Sequence, residues 1–180
     1  MIGVGRGKNI FLIGMMGSGK TTAGRILARR LGRRFIDTDH EIEQRCGVAI
    51  SLIFEIEGEE GFREREARAI DEFTAGDGAV VATGGGAVLR AENRRRLAAR
   101  GTVVYLHASP EALYRRVRGD RNRPLLATDD PLGRLKELYA VRDPLYREIA
   151  DLVVETGVQT ARALSRTLLA RLEERCKASA

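Results

Sequence analysis

Residues 14–21 read Gly-Met-Met-Gly-Ser-Gly-Lys-Thr, which matches the pattern Gly-x-x-x-x-Gly-Lys-Thr. Glycines let such a loop turn its N–H groups inward around phosphate oxygens, and the N-terminus of a following helix adds positive potential. The lysine of this pattern reaches the β- and γ-phosphates of a nucleotide, and the threonine hydroxyl binds Mg²⁺. An apolar run at 10–13 precedes the pattern and a helical pattern follows it, so the context favours a phosphate-binding loop over a chance glycine-rich turn. We therefore expect Lys20 and Thr21 to bind a nucleoside triphosphate and its metal ion.

Two carboxylates, Asp37 and Asp39, follow the apolar run at 34–36. In extended backbone, a spacing of two residues places both side chains on the same side. One of them could orient Mg²⁺ through water, and the other could accept a proton from a hydroxyl group. Either could also cap the helix that is expected to begin near His40, and capping is compatible with catalysis. We expect a functional role for at least one aspartate, and we assign none to His40 or His107.

Three further sets of residues could have either a structural or a functional role, and the residues alone do not decide between the two. The consecutive glycines 84–86 expose N–H groups and permit close approach of a ligand, but they could also make a tight strand-to-helix turn. Arg63 and Glu66 are three residues apart in a helical pattern and can pair, as surface residues often do. Arg142 comes two residues before Pro144, where we expect its helix to end. An arginine at a helix end is usually a dipole partner or solvated.

Residues 118–131 are predicted to form a loop, because they are polar and contain Pro124 and Pro131. A loop of this length in a compact domain is usually functional or disordered. Its first six positions contain three arginines, which favours a mobile lid that closes over phosphates. The alternative is a disordered surface loop.

Apolar, β-rich runs alternate with helical patterns along the chain. The runs are at 10–13, 34–36, 79–82, 102–106 and 152–154, and the helical patterns are at 20–31, 39–46, 51–56, 59–73, 91–100, 109–117, 132–141 and 160–176. Short all-apolar strands with helices between them predict a parallel sheet covered on both faces, which is a doubly wound α/β fold. Ligands of such sheets bind at the carboxyl ends of the strands. The phosphate-binding loop, the aspartates and the glycines follow the first three runs in turn.

The composition predicts one globular domain over residues 1–180, of which 43% are hydrophobic and 31% charged. There is no apolar stretch near the ~18 residues of a membrane helix, and the N-terminus is too polar for a signal peptide. Cys46 and Cys176 lie far apart in the sequence and form no C-x-x-C pattern. We therefore expect both to be ordinary thiols in a reducing cytoplasm. The net charge is +6, but the arginines are dispersed and tryptophan is absent, so we expect no nucleic-acid partner. The densest cluster, Arg94 to Arg96, is interpreted as a solvated helix face with Leu97 and Ala98 inward.

These features together resemble the shikimate kinase family from about residue 9 to residue 173. The phosphate-binding loop alone is shared by many families, whereas the combination of motifs is highly specific. The motifs are Met15-Met16 within the loop, Asp37-Thr38-Asp39, Phe62-Arg63-x-x-Glu66, Gly84-Gly85-Gly86, Arg123-Pro124-Leu125-Leu126 and Arg142-x-Pro144-Leu145-Tyr146. The resemblance implies a three-layer P-loop kinase of the nucleoside-monophosphate-kinase type, with a five-stranded parallel sheet in the order 2-3-1-4-5.

The resemblance also implies the reaction, the cofactor and the partners. The 3-hydroxyl of shikimate would be phosphorylated by ATP to give 3-phosphoshikimate and ADP, with Mg²⁺ as cofactor, in aromatic amino-acid biosynthesis. Shikimate and ATP are the implied partners. We expect no membrane partner, a cytoplasmic location and a monomer.

The site residues implied by the resemblance fall into four groups. Asp39 is the candidate base, and Lys20 and Arg123 are further catalytic residues. The ATP-binding residues are Gly17, Ser18, Gly19, Lys20, Thr21, Thr22, Arg116 against the adenine, and Arg123 in the lid. The substrate-binding residues are Asp39, Arg63, Gly85, Gly86 and Arg142, of which the two arginines bind the shikimate carboxylate. Thr21 binds the metal directly, and Asp37 binds it through water.

One segment departs from the family pattern. The turn after the last strand, residues 156–159, lacks the proline- or asparagine-rich sequence that often borders adenine, so adenine contacts there are not assigned. Two alternative functions stay open. A related small-molecule kinase, such as a gluconate kinase, would lack the pair Arg63 and Arg142 together with the triple glycine. A non-catalytic sensor would bind ATP or shikimate without turnover.

Overall fold

The structure is a computed structural model, and it describes residues 8–120, 124–157 and 159–178. Strands and helices alternate through these residues, as the sequence predicts. The strands are β1 (Asn9–Ile13), β2 (Arg34–Asp37), β3 (Ala79–Ala82), β4 (Gly101–His107) and β5 (Leu152–Glu155). The helices are α1 (Lys20–Leu31), α2 (Thr38–Cys46), α3 (Ile50–Phe73), α4 (Ala91–Arg100), α5 (Pro110–Val117), α6 (Pro131–Ile149) and α7 (Ala161–Ala178). Single 3₁₀ turns lie at Ala87–Leu89 and Pro124–Leu126.

All five strands form one parallel sheet in the order β2-β3-β1-β4-β5, which confirms the expected topology. The central strand is β1, where Phe11 lies between Val81 of β3 and Val103 of β4. Parallel strands point in one direction, so their carboxyl ends lie at a common edge. The loop after β1, the end of β2 with the start of α2, and the loop after β3 lie at that edge, close to the predicted site residues.

The sheet is buried on both faces, because successive apolar residues of each strand point to opposite sides. Phe11 and Ile13 pack with residues of α3, α4, α5 and α6 on one face. Ile10 and Leu12 pack with residues of α1 and α7 on the other face. Helix α1 approaches the sheet closely at Gly24, where a Cβ atom would lie only 2.8 Å from a Leu12 methyl carbon. The core therefore holds α1, and with it the phosphate-binding loop, tightly against β1.

One helix differs from its predicted extent. The predicted helical segments 51–56 and 59–73 are confirmed as the two halves of α3, which Gly58 separates with a non-helical backbone of φ 71°. Helix α6 was expected to end at residue 141, which is wrong, because it continues through Pro144 to Ile149. A proline within a helix removes one hydrogen bond at a cost of about 3 kcal/mol or more. Tyr146, buried one turn after Arg142, continues the inward face of α6 past the proline, and its packing offsets part of that cost.

The interpretation of residues 94–96 as a solvated face is wrong for two of the three arginines. Arg94 pairs with Glu148 and donates to the Val88 carbonyl at 2.8 Å, and Arg96 pairs with Asp71. Ala98 is exposed, so the inward side of α4 is formed by Leu97 with Asn93. No helix in the described part of the chain is long and apolar enough to cross a bilayer.

Candidate active site

The phosphate-binding loop connects β1 to α1 at the carboxyl edge of the sheet. Gly17 and Gly19 have φ angles of 78° and 92°, a region that side chains other than glycine rarely adopt. Gly19 is the N-cap of α1 and supplies no side-chain cap, so the first N–H groups of the helix face the loop opening. The Lys20 amino group donates to the carbonyl oxygens of Gly14 at 2.7 Å and Met15 at 2.8 Å. The loop therefore places one ammonium group beside the uncapped N–H groups at the start of α1, which is the chemistry that phosphate binding requires.

Thr21 and Asp37 bring hydroxyl and carboxylate oxygens together beside this loop. The Thr21 hydroxyl donates to Asp37 Oδ2 at 2.6 Å. The other carboxylate oxygen, Oδ1, accepts from the backbone N–H groups of Asp39 and His40 and thereby caps α2. Capping and a metal role therefore use different oxygens of Asp37. Within the described residues, no group of three His, Cys, Asp or Glu side chains could hold a metal by itself.

Asp39 lies at the junction of two cavities. The donor cavity, of about 270 Å³, is lined by Gly17, Gly19, Lys20, Thr21, Thr22, Asp37, Asp39, Thr83 and Gly85. The acceptor cavity, of about 440 Å³, adjoins it and shares Asp39 and Gly85 with it. The Asp39 side chain therefore borders both the cavity at the phosphate-binding loop and the acceptor cavity.

The carboxyl group of Asp39 is destabilised as an anion. Its Oδ1 atom is buried and accepts no hydrogen bond from the described residues. Burial, followed by the neighbouring charges of Glu66 and Asp37, raises the pKa of Asp39 from 3.8 to about 7, against the opposing effect of Lys20. An aspartate with a pKa near 7 is a better proton acceptor at neutral pH than an ordinary carboxylate. A raised pKa in a cleft is a frequent mark of an acid–base group.

Arg63 and Glu66 are buried in the wall of the acceptor cavity. Arg63 Nη1 donates to Glu66 Oε2 at 2.8 Å, and the side chains are only 7% and 1% exposed. The alternative of a surface pair on a helix is therefore wrong. Arg63 also donates to Glu59 at 3.0 Å. Burial raises the pKa of Glu66, although the charge of Arg63 opposes this. Glu66 and Glu59 together hold the Arg63 guanidinium group at the wall of the acceptor cavity.

Arg142 is a second buried cation that lines the acceptor cavity. It is 2% exposed, and burial lowers the pKa of its guanidinium group, with the nearby charge of Arg63 adding to the effect. No carboxylate of the described residues lies within salt-bridge distance of it. A buried guanidinium group without a neutralising anion is costly, and a bound carboxylate would offset that cost. The interpretation of Arg142 as a solvated helix-end residue is therefore wrong.

Side chains at residues 84 and 86 would collide with these charged groups. A Cβ atom at Gly84 would overlap Glu66 Oε1 and Asp39 Oδ1, and one at Gly86 would overlap the Arg63 guanidinium group. The Gly84 N–H donates to the Thr38 hydroxyl at 3.2 Å, which ties this loop to the start of α2. The triple glycine therefore lets the backbone approach both the carboxylates and the cavity.

A model of the family described as shikimate kinase matches residues 16–173. The chain belongs to the shikimate kinase family. A shikimate kinase of Ralstonia nicotianae is 61% identical over 165 residues, which cover 92% of this chain and 87% of that protein. A shikimate kinase of Cupriavidus pinatubonensis is 60% identical over 92% of this chain and 86% of its own length. The solved structure of a shikimate kinase from Acinetobacter baumannii in complex with shikimate superposes with a TM-score of 0.91. It is 48% identical and covers 93% of this chain and 94% of that one. The family is one of ATP-using kinases, and the sheet order here is that of its P-loop fold.

The site residues that the resemblance to shikimate kinases implied are brought together in two sets. Asp39, Arg63, Gly85, Gly86 and Arg142 all line the acceptor cavity. The described loop residues Gly17, Gly19, Lys20, Thr21 and Thr22 line the donor cavity. Ser18, also predicted to bind ATP, is buried beneath them, and its hydroxyl lies 3.4 Å from the Lys20 amino group. Arg123 lies outside the described residues, so its predicted contacts stay predictions.

Arg116 lies at the outer edge of the donor side. It donates to the Gly17 carbonyl oxygen at 3.1 Å, and to the carbonyl oxygens of Thr156 and Gly157 in the loop after β5. This loop contains the departure from the shikimate kinase pattern noted above. The arginine therefore joins the phosphate-binding loop to the segment that the resemblance places beside adenine.

Several cavity residues were not assigned from the sequence. Phe54 and Phe62 form an apolar wall, with ring centroids 4.8 Å apart, and Pro124 and Leu125 of the predicted lid face the same cavity. Tyr146 donates a hydrogen bond to the Gly85 carbonyl oxygen. The spacing of four residues between Arg142 and Tyr146 would have indicated a shared helix face, but the expected helix end at Pro144 concealed it.

Proposed function

We propose that this chain transfers the γ-phosphoryl group of ATP to the 3-hydroxyl of shikimate, giving ADP and 3-phosphoshikimate. The observation that carries the proposal is the pair of adjoining cavities, which share Asp39 and Gly85. One cavity has the chemistry of a phosphate site, and the other has that of a site for a carboxylated polyol. Shikimate in the A. baumannii relative supports the choice of acceptor.

The carboxylate of the acceptor would lie between Arg63 and Arg142. Both guanidinium groups are buried in the acceptor cavity, and Arg142 has no salt-bridge partner among the described residues. A planar guanidinium group matches a carboxylate in bidentate fashion, which an ammonium group cannot do. Each charge-assisted contact of this kind contributes about 1.5–3 kcal/mol. The two arginines would therefore hold the ring with its hydroxyl groups toward Asp39.

Asp39 would accept the proton of the reacting hydroxyl group. As the proton leaves, the hydroxyl oxygen forms a bond to the γ-phosphorus, and the bond from that phosphorus to the bridging oxygen breaks to release ADP. Phosphoryl transfer passes through a loose transition state, so positioning and charge stabilisation matter more than a strong base. The unpartnered Oδ1 atom of Asp39 fits this role, because it has no hydrogen bond in the described residues to give up.

The donor half would bind ATP through the phosphate-binding loop. Lys20 and the first N–H groups of α1 would contact the β- and γ-phosphates. Thr21 would hold Mg²⁺ directly and Asp37 through water, and the ion would neutralise charge on the phosphate oxygens. Arg116 would border the adenine, and Arg123 would contact the transferred phosphoryl group from a lid that closes and excludes water.

We further propose that the chain acts as a single-domain monomer in the cytoplasm. Cys46 and Cys176 are free thiols, which suits a reducing compartment.

A coupled assay of ADP formation with a panel of acceptors tests the proposal. The panel contains shikimate, gluconate, a nucleoside monophosphate and water alone, each with ATP and Mg²⁺. We expect ADP formation to depend on shikimate and to exceed the rates with the other acceptors by orders of magnitude. Preferential turnover of gluconate or a nucleoside monophosphate would contradict the substrate. Isothermal titration that shows tight shikimate binding without turnover would indicate a sensor instead.

A further inference from the structure

Tyr146 contacts residues of both the donor side and the acceptor side of the site. It is fully buried on α6, one turn after Arg142. Its hydroxyl group donates to the carbonyl oxygen of Gly85, the residue that lines both cavities. The same hydroxyl group lies 3.7 Å from the sulfur of Met15 in the phosphate-binding loop. The Tyr146 side chain therefore contacts both the phosphate-binding loop and the glycine loop at residues 84–86.

Gly85 lies against both the phosphate-binding loop and Arg142 of α6. A Cβ atom at this position would lie 3.4 Å from the Met16 backbone nitrogen, 3.5 Å from Arg142 Nη1 and 3.6 Å from the Gly14 carbonyl oxygen. The peptide that Tyr146 holds is thus packed against the phosphate-binding loop on one side and the buried guanidinium group on the other. A shift of this peptide would change the distance between the phosphate site and the acceptor site.

The ring of Tyr146 is held in turn by its neighbours on β4 and α6. It stacks on Tyr105 with centroids 4.8 Å apart. The Tyr105 hydroxyl donates to Asp143 at 2.7 Å, and Asp143 accepts from Arg147 at 2.9 Å. Burial raises the pKa of the Tyr146 hydroxyl group, so it stays a protonated donor through the physiological range. The rigid ring and the fixed donor make Tyr146 suited to set a distance rather than merely to fill space.

We propose that Tyr146 is a positioning residue, whose hydroxyl group sets the separation between the phosphate-binding loop and the acceptor cavity through Gly85. The inference rests on the proposed function, because the separation matters only when a hydroxyl group must approach the γ-phosphorus in line. A misplacement of reacting groups by about 1 Å can cost roughly 100-fold in rate. A looser Gly85 loop would also admit water as a competing acceptor.

The test compares Tyr146→Phe with Tyr105→Phe as a matched control. Both variants lose one buried hydroxyl group of the same aromatic stack and keep the rings, but only the first loses the bond to Gly85. For each we measure kcat, KM for ATP and for shikimate, and the ratio of shikimate-independent ATP hydrolysis to shikimate phosphorylation. That ratio does not depend on the folded fraction, because the same molecules carry both rates.

We expect Y146F to lower kcat about 10- to 100-fold, to change KM for ATP less than about twofold, and to raise the hydrolysis ratio at least about fivefold. Y105F should keep the wild-type ratio and kcat. An unchanged ratio in Y146F, or an equal change in Y105F, would overturn the inference. If Y146F does not fold, Met15→Leu carries the test, since it removes the sulfur contact at similar volume and should raise the same ratio. An unchanged ratio in that variant would overturn the inference too. Wild-type enzyme that does not phosphorylate shikimate would instead overturn the proposed function on which the inference rests.

Discussion

Asp39→Asn is expected to stabilise the protein at alkaline pH while it removes the base. Burial and the charges of Glu66 and Asp37 raise the pKa of Asp39 from 3.8 to about 7. The folded protein therefore favours the protonated carboxyl group, whereas the unfolded chain ionises freely above its ordinary pKa. The stability that protonated Asp39 contributes is fully present below about pH 4 and is lost as pH rises through about 7.

The magnitude follows from the size of this shift. One pKa unit corresponds to about 1.4 kcal/mol, so the change from 3.8 to about 7 corresponds to roughly 4 kcal/mol. Asp39 is only partly buried as a residue, so solvent screens some of this energy. We expect about 2–3 kcal/mol to be lost between about pH 4.5 and pH 8.5 in the wild type. An asparagine is neutral at both values and does not incur this loss.

Urea unfolding of wild type and D39N at both pH values measures the effect. The free energy of unfolding of D39N minus that of the wild type should increase by about 2–3 kcal/mol from the lower to the higher pH. In a thermal unfolding experiment this corresponds to about 5–10 °C in Tm. Asp77→Asn, at an exposed position, is the matched control and should show no such change. D39N should also lower kcat about 100- to 10,000-fold. A D39N-minus-wild-type difference that is the same at both pH values would refute the reasoning about burial.

Three other substitutions test separate parts of the site. Arg63→Lys should raise KM for shikimate about 10- to 100-fold through loss of a bidentate contact. Arg68→Lys, exposed on the same helix, should leave KM for shikimate unchanged. Equal KM values in the two variants would contradict the carboxylate role of Arg63. Gly84→Ala should lower both Tm and turnover, because its Cβ would overlap Glu66 and Asp39, with a stability cost of about 1–3 kcal/mol; normal turnover would show that the loop can shift freely. Thr21→Val should raise the Mg²⁺ concentration for half-maximal rate about tenfold or more. Thr21→Ser keeps the hydroxyl group and should leave that concentration unchanged. Equal Mg²⁺ requirements in the two variants would show that Thr21 is not a metal ligand.

The sequence was sufficient to predict the sheet and the position of the phosphate-binding loop at its edge. Strands such as β1 and β3 are apolar throughout, because parallel strands are buried on both faces, and this pattern identified them directly. The phosphate-binding loop is contiguous in sequence, so its geometry follows from local residues. Asp37 and Asp39 could be placed beside it because both follow a strand that ends at the same edge.

The acceptor half depends on burial, which the residues alone do not show. Arg63 and Glu66 looked like an ordinary helix pair until α3 was seen to pack against the loop of glycines. Arg142 looked like a helix-end arginine because Pro144 usually terminates a helix, but tertiary packing carries α6 onward. The resemblance to a family implied roles for the two arginines that spacing could not indicate, since Arg63 and Arg142 lie about 80 residues apart in the chain.

The central claim is that the two cavities bring ATP and the 3-hydroxyl of shikimate together. Nuclear magnetic resonance of the product formed by the wild-type protein from ATP, Mg²⁺ and shikimate tests it most directly, through ³¹P chemical shifts and proton–phosphorus coupling. The predicted result is one phosphomonoester, coupled to the ring proton at position 3, in an amount equal to the ADP formed. A phosphoryl group on another hydroxyl, or ADP that accumulates only with inorganic phosphate, would contradict it.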